Sequence, residues 1–549
     1  MSRLGRLWRT VRHLKPSQVW GRVAFRLRKP QPDLRPAPAR RPVSGPWVVP
    51  AARAASLTGP QRWRLLSEEA ALSAVGWDGP QKAKLWRYNQ HYFDDLSAAG
   101  NMGRRAWQRE LVDAWIAGNP PGKGTGWEPY PTSLRVVNWV KWFLTGEAPR
   151  EAWLQSLAVQ ARWLARRLEW HLLGNHLFAN AKALVFAGLF FHGTEADDWL
   201  RTGLAILERE VPEQILADGG QFERSPMYHA LALEDVLDLM NVAQAFREAP
   251  GHARLASLRL HDLAPRMLRW LRCISHPDGG IAFFNDAAHG VAPPNAELER
   301  YAADLGGHAE ALADAGAVEL QPSGYVRLAR GLAVALLDVA PVGPDYLPGH
   351  AHADTLSFEL SVHGRRVVVN GGTSCYGVGA QRLRERGTAA SSTVQILPDD
   401  SSEVWSGFRV GRRARPFGVT VTPSEVHASH DGYRHLPGAP VHTRRWLLDD
   451  SSLTVDDRVT VGTLPAVARY HLAPGLRFTR TPAGAWHVVD NDNIVARVEV
   501  QAGQAQAQPS QYAPEFGCVV QTQVLAVNLD EGHARTKWAW EGDAHPVPE

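Results

Sequence analysis

Near residue 325 the spacing of apolar residues changes from a helical period to a strand period, and this change limits the fold before any motif is considered. Upstream, from about 60 to 320, apolar stripes recur every three or four residues. Leu154, Leu157, Ala161, Leu164 and Leu168 form one, Val236, Leu237, Met240, Ala243 and Phe246 another, and Met267, Leu268, Leu271 and Ile274 a third. The run from Ala183 to Phe191 is apolar throughout, as expected of a buried helix. Gly- and Asp-rich breaks separate the stripes at Leu173-Gly174-Asn175, Asp218-Gly219-Gly220 and Asp278-Gly279-Gly280. Paired helices with loops gathered at one end predict a toroid or solenoid. Downstream, alternating and β-branched runs predict an antiparallel sheet or sandwich: Leu332 to Val339, Leu356 to Val362, Arg366 to Val369, Gly418 to Thr422, Trp446 to Leu448, Leu453 to Val461, Trp486 to Val489 and Ile494 to Val500. A helical half followed by a strand half implies segregated α+β domains, not βαβ units. The boundaries read from the sequence are 1–59 for a basic N-terminal segment and Pro-rich linker, 60–324 for the helical domain and 325–549 for the strand domain.

A chain of 549 residues is too long for one core and suits this division. Its 21 Trp serve either a core or sugar-stacking surfaces. A formal net charge of +4 supplies no global field to select a partner, and no nucleic acid is expected. Cys273, Cys375 and Cys518 are too few and too far apart for a disulfide framework or a Cys-based zinc site. No apolar run is long enough to span a bilayer, and no secretory signal core is visible. A cytoplasmic or membrane-associated location is therefore expected, with the periplasm as the alternative.

The charge is unevenly placed. Residues 1–29 carry nine Arg and Lys side chains and no acid, with Leu4, Leu7, Trp8, Val11 and Leu14 at helical spacing. This predicts a basic amphipathic helix that lies on an anionic membrane or holds a partner, or else docks on the body with its basic face in solvent. Residues 30–50, rich in Pro and Arg, read as an extended linker.

Chemistry is expected where titratable groups gather. In Gly349-His350-Ala351-His352-Ala353-Asp354 two imidazoles and a carboxylate alternate just ahead of the Leu356–Val362 run, so a strand would turn all three to one face. Such a face is costly unless its groups meet a metal, a substrate or each other. Three loops in the helical half mix amides, imidazoles and phenols: Trp86 to Asp94, Gly174-Asn175-His176 with Asn180 a turn on, and Asp218 to His229. Such mixtures line polar-substrate clefts and also make ordinary helix caps.

Taken in order, Leu-Gly-Asn175-His176-Leu-Phe-Ala-Asn180, Gln221-Phe-Glu-Arg-Ser-Pro-Met-Tyr228-His229, Asn285-Asp286, Gly-His350-Ala-His352-Ala-Asp354 and Arg386-Gly-Thr-Ala-Ala resemble the heparinase II/III-type polysaccharide lyases, relatives of alginate lyases. The resemblance runs from about Trp86 to about Gly475. It implies an incomplete (α/α) toroid followed by an antiparallel β-sandwich, and β-elimination on an acidic, uronate-containing polysaccharide of glycosaminoglycan, alginate or exopolysaccharide type. That reaction needs donors on the uronate carboxylate, a base at C5 and an acid at the leaving oxygen. By resemblance, Asn175 and His176 bind the carboxylate, Tyr228 is the general acid and a candidate base, His350 is the second proton-transfer group, and Tyr376 is a further candidate. To act as base, Tyr228 would need its phenol pKa lowered by nearby donors or cations. Tyr88, Asn89, His91, Tyr92 and Glu223 would line the cleft, and Arg135 and Arg386 would bind sugar carboxylate or sulfate. The chemistry requires no cofactor. Some members hold a structural divalent ion, zinc or similar, and the matching positions are His352, Asn370 and His471. Asn370 stands where the family often has Asp and is a poorer ligand. Ala390-Ser391-Ser392 also departs from the His-Asn pair often found there. Two other readings use the same residues: a metal-dependent hydrolase built on His350, His352 and Asp354, and a non-catalytic carbohydrate-binding or assembly protein of a surface-polysaccharide pathway.

Overall fold

The structure, a computed structural model, describes residues 3–460, 464–482 and 484–541. The end of the predicted strand at Val461, residues 1–2 and residues 542–549 lie outside the described residues.

The helical stripes become an open ring of antiparallel helices. Gly174–Phe190 packs on Thr194–Gln214 and on Pro129–Leu144, which also meets Glu151–Ala165; Pro226–Ala245 packs on Leu260–Cys273. Gly174–Phe190 is buried almost all round, as its apolar run predicts. It comes close to its neighbour because a Cβ on Gly188 would stand 2.7 Å from the Ala196 carbonyl oxygen. Indole rings fill the ring's core: Trp86, Trp115, Trp139, Trp142 and Trp153 are fully buried, and Trp115 meets Trp139 edge-on at 5.9 Å. The Trp content of this half therefore goes largely to packing, where each ring removes a large apolar area from water.

Among the described residues the strand half holds two large antiparallel sheets, one of nine strands and one of eight, and a two-stranded ribbon of Val404–Trp405 with Arg409–Val410. The first runs through Gly316–Leu320, Tyr325–Arg330, Ala333–Asp338, Phe358–Val362 and Arg365–Val369 as successive neighbours. The second stacks on it, and Arg444 bridges the two. Its guanidinium pairs with Asp457 and donates to the Leu356 and Ser392 carbonyls at 2.8 and 2.7 Å.

Three expectations change. The strand half begins at Gly316, ahead of 325, because the last ring helix ends at Asp304. The helical reading does not hold from 60: Leu57–Gly59, Arg62–Leu65 and Glu68–Ala71 form a small sheet. The stretch 349–357 is a loop, and the strand starts only at Phe358. That strand is buried on both faces, because Glu359 and Ser361 meet His276 of the helical half at 2.6 and 2.7 Å. Alternation alone could not distinguish a face turned to water from a face covered by a second domain. The 30–50 segment is extended as predicted but fixed on the ring, with Arg162 donating to the Arg35 and Pro36 carbonyls.

Candidate active site

The helix Gly174–Phe190 begins abruptly. Leu173 and Gly174 have φ of +60° and +53°, and a Cβ on Gly174 would lie 2.3 Å from Leu347 and 3.5 Å from Glu223 Oε1. Only glycine fits there without strain. The turn places Asn175 and His176 at the helix mouth. The Asn175 side chain stands beside the Tyr130 hydroxyl. The His176 ring lies 4.4 Å from the Tyr130 ring, and its Nδ1 is 3.2 Å from Glu169. Asn180, a turn on, donates to Glu169 and Ser133 and accepts the Glu169 N–H, so it braces the helix mouth from beneath.

Tyr228 sits in the first turn of Pro226–Ala245, where Ser225 Oγ caps the helix by accepting the Tyr228 N–H at 3.1 Å. Its hydroxyl is 3.0 Å from that of Tyr376 in the strand half, and its ring lies 3.9 Å from the His350 ring. Burial holds both phenols well above the ordinary tyrosine pKa, with Tyr130 beside Tyr228 adding to the effect. Both therefore stay neutral, and the lowering required for Tyr228 to act as base is not found.

Asp286 organises the strand side. It accepts from His350 Nδ1 at 2.9 Å, His352 Nε2 at 2.8 Å and Arg382 Nη2 at 2.7 Å, and its own N–H donates to the His350 carbonyl at 2.9 Å. These partners, Arg382 foremost, offset burial and hold its carboxyl well below the usual range. A carboxylate facing Nδ1 requires a proton there, so neutral His350 presents an unprotonated Nε2 to the crevice. Glu223 Oε2 is 3.9 Å from that nitrogen. Burial raises the Glu223 carboxyl, while the neighbouring His350 and His176 favour its charge. The Arg382 guanidinium also faces the Tyr376 ring at 4.9 Å and the Phe408 ring at 5.4 Å.

Tyr228, His350, Tyr376 and Glu223 thus gather where the two halves meet, and Tyr130, which neighbours Tyr228, leads from them to Asn175 and His176. Tyr88 and Tyr92 extend the wall through edge-on rings, Tyr88–Tyr92 at 6.4 Å and Tyr92–Tyr130 at 6.0 Å. Asn89 is partly buried and uses its amide on the Leu85 carbonyl of its own helix. Three expected binding residues are corrected. Arg135 is fully buried, stacked 3.8 Å from the Trp115 ring and bonded to Gln160 and the His91 and Gly126 carbonyls. His91 is buried behind it, accepting the Trp115 indole N–H. Arg386 is fully buried and holds the Ala351 carbonyl at 2.9 Å, so it shapes the loop carrying His350 and His352. Arg382, one turn earlier on the same helix, is also fully buried, but it pairs with Asp286 and so bears on the orientation of His350. Tyr130, Asp286 and Arg382 were not singled out as site residues. Asp286 lay in a quoted motif, but nothing in the sequence marked the other two.

The three positions suggested for a divalent ion do not fit one. Asn370 Oδ1 accepts the Ser392 N–H, and His352 Nε2 is turned to Asp286. His471 Nε2 faces the Ala389 carbonyl, which takes the proton a metal would replace, and Nδ1 faces Ser510 Oγ. The trio His350, His352 and Asp354 is also split, since Asp354 turns away to accept the Asn285 N–H at 2.8 Å. Among the described residues no group of three or more His, Cys, Asp or Glu side chains is placed to hold a metal ion.

An open helical ring closed against an antiparallel sandwich, with phenol, imidazole and carboxylate side chains gathered at their junction, defines the class of protein. Residues 95–301 match the family described as heparinase II/III N-terminus, and residues 313–539 match heparinase II/III-like, C-terminal. A heparin-sulfate lyase of Pedobacter heparinus is 28% identical over 309 residues, which is 50% of this chain and 44% of that protein. One of Bacteroides stercoris is 33% identical over 115 residues, 21% of this chain and 17% of that protein. The chain thus aligns with less than half the length of these relatives. The crystal structure of a heparinase III superposes with a TM-score of 0.65 at 18% identity, covering 85% of this chain and 80% of that one. The chain belongs to the heparinase II/III family.

Proposed function

We propose that this protein cleaves a uronate-containing polysaccharide by β-elimination, with a heparan-sulfate-like glycosaminoglycan the first candidate substrate. The observation that carries the reading is the Tyr228 phenol of the helical half facing the His350 imidazole of the strand half, ring centres 3.9 Å apart. In this reading the Asn175 amide donates to the uronate carboxylate and makes the C5 proton more acidic. His350 Nε2, its lone pair exposed because Nδ1–H is held by Asp286, takes that proton. The electron pair forms the C4–C5 double bond and the C4–oxygen bond breaks. Tyr228, kept neutral by burial, protonates the leaving oxygen, and Tyr376 is placed to resupply that proton. Glu223 stabilises the imidazolium formed on the way. No water attacks and no cofactor takes part.

The test is the ultraviolet absorbance of the conjugated product. Wild-type protein should produce it from a uronate polymer, and Tyr228→Phe and His350→Ala should each lower kcat by about 10²–10⁴-fold. Chain cleavage without unsaturated ends would contradict the reading.

A further inference from the structure

Two helices, α1 (Arg3–Val11) and α2 (Pro16–Leu27), lie on the body ahead of the extended segment. Their inner faces are polar and well anchored. Arg9 makes a two-pronged pair with Glu403 at 2.8 and 2.9 Å, and Thr10 accepts the Trp405 indole N–H. On α2, Gln18 donates to the Tyr346 carbonyl, Gly21 fits against the His171 backbone, and Phe25 packs 4.4 Å from the His171 ring.

Two positions further along a helix lies on nearly the opposite side. Those outer positions carry Trp8 and Val11 on α1, and Trp20, Val23 and Leu27 on α2. Trp8, Trp20 and Leu27 are 60%, 70% and 78% exposed. Large apolar side chains gathered on one outer face mark an interaction surface. Around them Arg12, Arg22, Arg26, Arg28 and Lys29 are exposed, and the first acidic residue of the chain is Asp33. A second copy of this face would bring like charges together. Indole and leucine side chains flanked by arginines are what a helix lying in the plane of a bilayer presents, its rings in the headgroup layer and its cations on anionic lipid.

We infer that α1 and α2 dock the protein on an anionic membrane surface. No helix among the described residues is long and apolar enough to cross a membrane, so the contact is peripheral. In the chain both anchors stand close to residues of the candidate site. Tyr346 lies four residues before His350, and the segment from Glu403 leads to Phe408, whose ring stands 6.0 Å from that of His350.

The experiment is co-sedimentation of the full chain with vesicles of phosphatidylcholine alone and of phosphatidylcholine mixed with phosphatidylglycerol, which does not depend on lyase activity. Binding is expected to the mixed vesicles only, and to weaken as salt is raised. The triple variant Trp8→Ser, Trp20→Ser, Leu27→Ser and the charge variant Arg22→Glu, Arg26→Glu should each lose at least about tenfold in partitioning. Both should keep the wild-type circular dichroism spectrum, since every changed residue is exposed. Equal binding to neutral vesicles, no binding to any vesicle, or a wild-type dimer that the triple variant makes monomeric would overturn the inference.

Discussion

At the residue scale, the crevice depends on neighbours that set charge. Glu223 is buried beside His350 Nε2, so Glu223→Gln keeps the shape and removes the stabilising charge. We expect kcat to fall about tenfold with KM little changed. Tyr228 and Tyr376 are raised by burial, so an acid of this kind is lost only well above the ordinary phenol range. In the free enzyme kcat/KM should therefore show no alkaline fall from a phenol below about pH 10. Much of the crevice was legible as motifs: Asn175, Tyr228 and His350 stood in polar, glycine-punctuated segments. The arginines were not. Arg135, Arg382 and Arg386 are alike in sequence, and tertiary packing alone decides that two brace carbonyls while one pairs with Asp286.

At the element scale, helices and strands up to Val500 were legible mostly where one face met a core, because burial imposes the period, while the strands Gln504–Tyr512, Val520–Asn528 and His533–Ala539 were not read. The strand Phe358–Val362 was legible but its burial on both faces was not, and very short strands, as in the sheet at 57–71, were missed. Burial also sets acid sensitivity. Burial lowers the pKa values of His91, His229 and His471 to about 3 in the folded chain. An unfolded imidazole binds its proton near pH ~6.5, so below that the unfolded state gains protons that the native state refuses. Stability should fall as pH drops through that value and keep falling towards the folded values, by about 2 kcal/mol per histidine at pH ~5. Denaturant midpoints measured between neutrality and that pH check this, and His229→Gln should flatten the dependence. Asp457, held low chiefly by Arg444, acts at lower pH. Its stabilisation is full above about pH 4 and is lost as pH falls towards its folded value.

At the scale of the whole molecule, the site exists only because the two halves stay joined. His276 from the helical half is fully buried against Glu359 and Ser361 of the strand Phe358–Val362, which ends the loop carrying His350. His276→Ala leaves Glu359 Oε2 and Ser361 Oγ without that buried partner and should cost about 1–3 kcal/mol, read from denaturant unfolding. The central claim is that a buried phenol and an oriented imidazole from opposite halves eliminate across C4–C5 of a uronate. It is tested most directly by following ultraviolet absorbance and reducing ends together on a heparan-sulfate-type polymer, with wild-type protein and Tyr228→Phe. The account predicts that both signals rise in step for the wild type and that both are lost in the variant. Reducing ends that appear without absorbance, or a Tyr228→Phe protein as active as the wild type, would contradict it.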